Sequence, residues 1–197
     1  MPDLRVGVLA IQGGFEAHVE MLRQLGAETR EVRVPGDLEE LDGLVVPGGE
    51  STTITRGIEV AGLVKPIRAH HDTGRTIFGT CAGMIVCDSE HLGLIDARAE
   101  RNAFGRQLQS FEADVEVDGV GDEPLRAVFI RAPWVAEHGA GVEVLASYDG
   151  HPVAIREDGV LACAFHPELT DDPRLHALFM AMTTSSRERV ASERDFR

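Results

Sequence analysis

Short apolar runs alternate with stretches of helical periodicity through the first eighty residues, and few folds accommodate that rhythm. Val6-Gly7-Val8-Leu9-Ala10 reads as a buried strand. Phe15, Val19 and Leu22 follow at helical spacing, and Gly26 stops that helix. A second strand is expected from Thr29 to Val34 and a third at Leu44-Val45-Val46, after which Ser51-Thr52-Thr53 offers an N-cap for a helix to about Ala61. Pro66 to Asp72 suggests another short helix, and Thr76-Ile77-Phe78 a fourth strand. Strands apolar along their whole length, separated by helices, imply a mostly parallel sheet buried on both faces: an α/β fold.

From about Phe111 the pattern changes. Phe111 to Val117, Ala127 to Ile130, Val142 to Tyr148, Val153 to Arg156 and Leu161 to Phe165 read as added strands joined by short Gly, Asp and Pro turns. Tyr148-Asp149-Gly150-His151 has the form of a hairpin turn. Pro173 opens a last helix through Met182. With no repeat and no long linker, one domain is expected over residues 1–184, followed by a charged, frayed tail over 185–197.

Within this frame, Gly79-Thr80-Cys81-Ala82-Gly83 places a thiol between two glycines, after a strand and before a helix. That is the form of a nucleophile elbow, where only small neighbours let the side chain stand clear of a strained backbone. The helix N-terminus favours the thiolate, which matters because an ordinary thiol of pKa about 8.5 is only ~3% ionised at pH 7. Some eighty residues later, His166-Pro167-Glu168 follows a strand. Residues two apart in extended chain share a side, so Glu168 can hold one ring nitrogen of His166 while the other faces a thiol. Pro47-Gly48-Gly49-Glu50-Ser51 ends the third strand with two small residues whose amides can approach a ligand. The amides of Gly49 and Ala82 are therefore candidates for an oxyanion hole. Arg101 and Arg131 could each grip a carboxylate, although taken alone a surface salt bridge is the more ordinary role for either. His70-His71, on a helix expected to be solvated, brings no third ligand at metal spacing, and Cys87 and Cys163 look like core filling.

Composition narrows the partners. A net charge of −14 and a single lysine (Lys65) argue against nucleic acid. No long apolar stretch suggests a membrane span or signal peptide, and the three cysteines form no CxxC pair, so a reduced, cytoplasmic setting is expected.

Gly48-Gly49-Glu50-Ser51, the Cys81 elbow and His166-Pro167-Glu168 together resemble the class I, triad-type glutamine amidotransferases. Ile11-Gln12-Gly13, Glu100-Arg101-Asn102-Ala103-Phe104-Gly105-Arg106-Gln107, Ser110-Phe111-Glu112-Ala113, Phe129-Ile130-Arg131-Ala132-Pro133 and Phe165-His166-Pro167-Glu168-Leu169-Thr170 narrow the likeness to the family of glutaminase subunits of pyridoxal 5'-phosphate synthase, over residues 4 to 182. The resemblance implies a three-layer α/β fold and hydrolysis of L-glutamine to L-glutamate. It also implies transfer of the ammonia to a barrel-type synthase subunit, with no cofactor and no metal. Carried over by position, it implies a triad of Cys81, His166 and Glu168 and glutamine contacts at Gly49, Glu50, Ser51, Arg101, Ile130 and Arg131. One departure is visible: between Ile85 and His91 this chain has only Val86-Cys87-Asp88-Ser89-Glu90, shorter than the helix and loop of that family. The residues alone also admit a glutaminase of another pathway, a peptidase of the same broad fold, or a non-catalytic glutamine-binding subunit.

Overall fold

The computed structural model describes residues 4–101, 103 and 110–195. Asn102 and Phe104-Gly105-Arg106-Gln107, part of one motif above, lie outside the described residues, as do the last two residues of the chain.

A seven-stranded sheet carries the fold. Its strands are β1 (Arg5–Leu9), β2 (Glu28–Val32), β3 (Gly43–Val46), β4 (Thr76–Thr80), β9 (Glu143–Tyr148), β10 (His151–Glu157) and β11 (Val160–Cys163), in the order β2-β1-β3-β4-β11-β10-β9. The five strands from β2 to β11 run parallel, while β10 and β9 add antiparallel edges. The central strands β3, β4 and β11 are buried along their whole length, which is why they read as unbroken apolar runs. Two antiparallel pairs complete the strand set among the described residues: β5 (Ala97–Glu100) with β8 (Trp134–His138), and β6 (Ser110–Val115) with β7 (Leu125–Ile130).

Helices α1 (Phe15–Gln24) and α5 (Arg174–Asp195) share one face of the sheet, and α4 (Ala82–Cys87) lies on the other. The alternation along β4 shows this directly. Phe78 packs edge-on to His18 of α1 and His176 of α5 and beside Phe179, whereas a Cβ added at Gly79 would meet the backbone of Gly83 at 2.6 Å. Fully burying a side chain such as Phe78 contributes about 2–3 kcal/mol. Helices α2 (Ser51–Val60) and α3 (Val64–Asp72) link β3 to β4.

Several local expectations hold in detail. Gly26 ends α1 at φ 87° in a Schellman arrangement, with Gly26 N donating to Arg23 O and Ala27 N to Leu22 O. Asp149 and Gly150 both have positive φ, the type I′ signature of a two-residue hairpin. Two expectations need correcting, and one pair of strands is new. The cap of α2 is Glu50 rather than a hydroxyl of the Ser-Thr-Thr run, because its carboxylate accepts from Thr52 N at 3.0 Å and Thr53 N at 2.7 Å. The last helix does not end near Met182 in a frayed tail but continues to Asp195. Thr183 and Ser186 are buried there, and Ser186 bonds the carbonyl of Gly74. Strands β5 and β8 were not expected at all.

The short stretch behind the elbow closes on itself. Helix α4 stops at Asp88, a buried residue whose Oδ1 accepts from Glu90 N, His91 N and His91 Nδ1 and whose Oδ2 accepts from Ala99 N at 3.2 Å. A single carboxylate thus organises the whole turn from α4 into β5.

Candidate active site

The parallel strands deliver their C-terminal ends to one crevice, the usual ligand position in such sheets. Gln12 follows β1, Gly48 and Gly49 follow β3, Cys81 follows β4, and His166 lies beyond β11. The β6–β7 pair reaches the same place: His166 N donates to Val128 O at 2.9 Å, and Cys81 Sγ stands 3.9 Å from Ile130 O. A cleft of about 350 Å³ results. Gly49, Glu50, Ser51, Arg101, Ile130 and Arg131 line it together with Cys81, Ala82 and His166. Every site residue singled out from the sequence lines this cleft except Glu168, which stands behind His166.

Cys81 occupies a backbone conformation that side chains rarely adopt, φ 50° and ψ −108°. The flanking glycines are obligatory. A Cβ at Gly83 would overlap the carbonyl oxygen of Val46, and one at Gly79 would strike Gly83. His166 Nδ1 lies 2.8 Å from Glu168 Oε1, so Nδ1–H donates to the carboxylate and Nε2 is left for the thiol of the same cleft. Burial alone would depress the imidazole, but the proximity of Cys81 and the hydrogen bond and charge of Glu168 outweigh it and raise His166 to about 10. Burial likewise pushes Glu168 up, yet the His166 hydrogen bond and the nearby His18 hold its carboxyl below its ordinary value. The other cysteines differ in kind. Burial drives Cys87 up to about 12 and Cys163 far above its usual range, which disfavours the thiolate at both.

The glycine turn is held from both sides. Gly48 N donates to Thr80 Oγ1 at 3.1 Å and Glu50 N to Gln12 Oε1 at 2.8 Å. Between them, Gly49 N donates to no group among the described residues, and neither does Ala82 N at the start of α4. Gln12, Ile85 and Pro133 also line the cleft and were not singled out. The signal for Gln12 was present in its place after the first strand, directly before Gly13. A Cβ at Gly13 would overlap Gly48 O, so the β1–α1 loop and the Gly48 turn are built against each other.

Among the described residues neither arginine forms the ion pair of a surface salt bridge. Arg101 donates to Thr52 Oγ1 at 3.0 Å, and Arg131 sits at φ 45° at the end of β7. Glu50 is committed to its helix cap, where hydrogen bonds from Thr53 and Thr52 lower its carboxyl to about 2. His70, expected on a solvated helix, is buried, while its neighbour His71 bonds the carbonyl of Asp158. No helix among the described residues is long and apolar enough to cross a membrane.

The fold is that of an α/β protein with a cleft at the C-terminal ends of its parallel strands, and comparison with known families makes the class explicit: residues 8–185 match the SNO glutamine amidotransferase family, to which this chain belongs. Among its relatives, the protein named pyridoxal 5'-phosphate synthase subunit PdxT of Streptomyces avermitilis is 50% identical over 191 residues, covering 92% of this chain and 95% of that protein. The like-named subunit of Thermotoga maritima is 47% identical over 186 residues, covering 91% of this chain and 99% of its own length. A crystal structure described as a glutamine amidotransferase superposes with a TM-score of 0.87 at 47% identity, covering 91% of this chain and 98% of that one. The α/β architecture expected from the sequence is therefore that of the family.

Proposed function

We propose that this chain is the glutaminase subunit of a pyridoxal 5'-phosphate synthase. It hydrolyses L-glutamine to L-glutamate and ammonia, and hands the ammonia to a barrel-type synthase subunit in a reduced, cytoplasmic setting. The observation that carries the reading is the imidazole of His166, bonded at Nδ1 to Glu168 and lining one cleft with Cys81, both side chains packed against Gly48. The names of relatives that match nearly the whole chain support the choice of pathway.

In this mechanism Cys81, as thiolate, attacks the side-chain amide carbon of glutamine and forms a tetrahedral intermediate. His166, protonated and held in one tautomer by Glu168, gives its proton to the departing ammonia. Water, deprotonated by the same imidazole, then attacks the γ-glutamyl thioester; glutamate leaves and the thiol is restored. The amides of Gly49 and Ala82 serve the developing oxyanion, a contribution of about 10²–10³ in rate per donor in comparable sites. Gly49, Glu50, Ser51, Arg101, Ile130 and Arg131 hold the substrate, with the two guanidiniums suited to its carboxylate.

The test is Cys81→Ala. Assembled with its synthase partner, the variant is expected to lose glutamine-dependent pyridoxal phosphate formation while ammonium salt still supports it. Retention of glutamine-dependent synthesis would exclude Cys81 as the nucleophile.

A further inference from the structure

Behind Glu168, on the side away from the cleft, two histidines from distant parts of the chain are buried together. His18 of α1 and His176 of α5 are both fully inaccessible, and His18 Nδ1 lies 2.9 Å from His176 Nε2. The other nitrogen of His18, Nε2, is 3.1 Å from Thr80 Oγ1 and 3.4 Å from Glu168 Oε2. Thr80 Oγ1 also accepts from Gly48 N. One imidazole thus stands between the carboxylate that orients His166 and the turn that carries Gly49.

Hydrogen-bond accounting selects its tautomer. Glu168 Oε2 is buried and has no well-aligned partner, so whatever His18 presents to it decides how that oxygen is satisfied. If His18 carried its proton on Nδ1, its Nε2 lone pair would face the carboxylate oxygen. His176 would then be forced to bury an N–H at Nδ1, where no partner exists. With the proton on Nε2, His18 faces Glu168 Oε2 and Thr80 with a donor and accepts at Nδ1 from His176 Nε2–H. Only a bare lone pair on His176 and the rotatable Thr80 proton are then left to find partners, and orphaned acceptors are better tolerated than orphaned donors. Both rings remain neutral at ordinary pH, since burial foremost lowers His18 to about 4 and His176 to about 3. The titratable groups acting on this ring are Glu168, His166 and His176.

We propose that His18, held in its Nε2–H form by His176, is a positioning residue of this site: it presents a proton to Glu168 Oε2 and Thr80 and so fixes the carboxylate and the Gly48–Gly49 turn together. It touches neither the substrate nor the reacting atoms. Its catalytic consequence rests on the glutaminase reading given above, whereas the hydrogen-bond relay can be observed without it.

Two measurements test the proposal. Imidazole nitrogen NMR of the wild-type chain is expected to find His18 neutral with its proton on Nε2; a proton on Nδ1 overturns the relay, whatever the chain catalyses. In the complex with the synthase partner, His18→Phe, which keeps the ring volume and removes the donor, is expected to lower glutaminase kcat about 10- to 100-fold with little change in KM. The alkaline limb of its pH profile is expected to move to lower pH, because a less well-held Glu168 supports the His166 imidazolium less. His18→Gln, which can return an N–H near the Nε2 position, is expected to recover part of both effects. A folded His18→Phe with unchanged kcat and profile overturns the proposal, and if that variant does not fold, the wild-type tautomer decides. Absence of glutamine hydrolysis by the wild-type complex would instead strike the glutaminase reading.

Discussion

His166 Nδ1 and Glu168 Oε1 lie 2.8 Å apart, joined by a chain so short that Pro167 is the only residue between them. The carboxylate is buried, so its charge acts on the imidazole with little screening by water. Glu168→Gln keeps the shape and removes the charge. We expect kcat for glutamine hydrolysis to fall by about 10² or more, and the His166 imidazole to titrate below the value of about 10 that it has in the intact site. Steady-state kinetics and histidine NMR of the variant check both. An unaltered His166 titration would mean that Glu168 does not support the imidazolium.

Gly48 is constrained by the side chains it faces. A Cβ there would stand 2.5 Å from His166 Cε1, 3.0 Å from His166 Nδ1 and 3.3 Å from Cys81 Cβ. Gly48→Ala must therefore push the imidazole off its line between thiol and carboxylate. We expect about a 100-fold loss of kcat, the usual consequence of a displacement near 1 Å in a reacting group. A crystal structure of the variant should show the ring moved, and full activity would contradict this geometry.

Arg101 lines the cleft without an ion-pair partner among the described residues and is anchored through Thr52 Oγ1. If it receives the carboxylate of the substrate, Arg101→Met should raise KM for glutamine by roughly 10- to 100-fold, the loss of a charge-assisted hydrogen bond. The effect on kcat should be smaller. A variant that lowers kcat at constant KM would assign Arg101 a different part in the reaction.

Stability should fall in mild acid for a reason separate from catalysis. Burial first, and then the charge of Arg75, holds His70 at about 4, against 6.5 for an ordinary histidine. Since its folded value is the lower one, the unfolded chain takes up the proton first. Stability is therefore full above about pH 6.5 and declines as pH drops toward 4, by up to about 3 kcal/mol for one such group. His18 and His176 act in the same direction. Urea midpoints of the wild type at pH 7 and 4.5 should differ more than those of His70→Leu. Equal differences would mean that His70 gains its proton without unfolding.

The parallel core was legible because β3, β4 and β11 are buried on both faces and must be apolar throughout. The elbow was legible because its backbone excludes any larger neighbour of Cys81. What escaped was set by tertiary context. Strands β5 and β8 carry Ala-Arg-Ala-Glu and Trp-Val-Ala-Glu-His, partly exposed and without a clear period of two, and they exist through pairing with each other. Glu50 outcompeted the hydroxyls as the cap because its longer side chain folds back over the first turn to reach two amides. The tail composition gave no hint of a helix, since Ser186 is buried only because it finds the Gly74 carbonyl. His18 and His176 are 158 residues apart, and each alone looks like an ordinary core histidine. Their meeting behind Glu168 is a property of the fold.

The most direct test of the thiol mechanism is to quench the assembled enzyme during turnover of glutamine, digest it, and weigh the peptides. A γ-glutamyl group on the peptide carrying Cys81, absent in Cys81→Ala, is the expected result. Glutamine hydrolysis that proceeds with the label on Cys87 or Cys163, or in the Cys81→Ala variant, would contradict it.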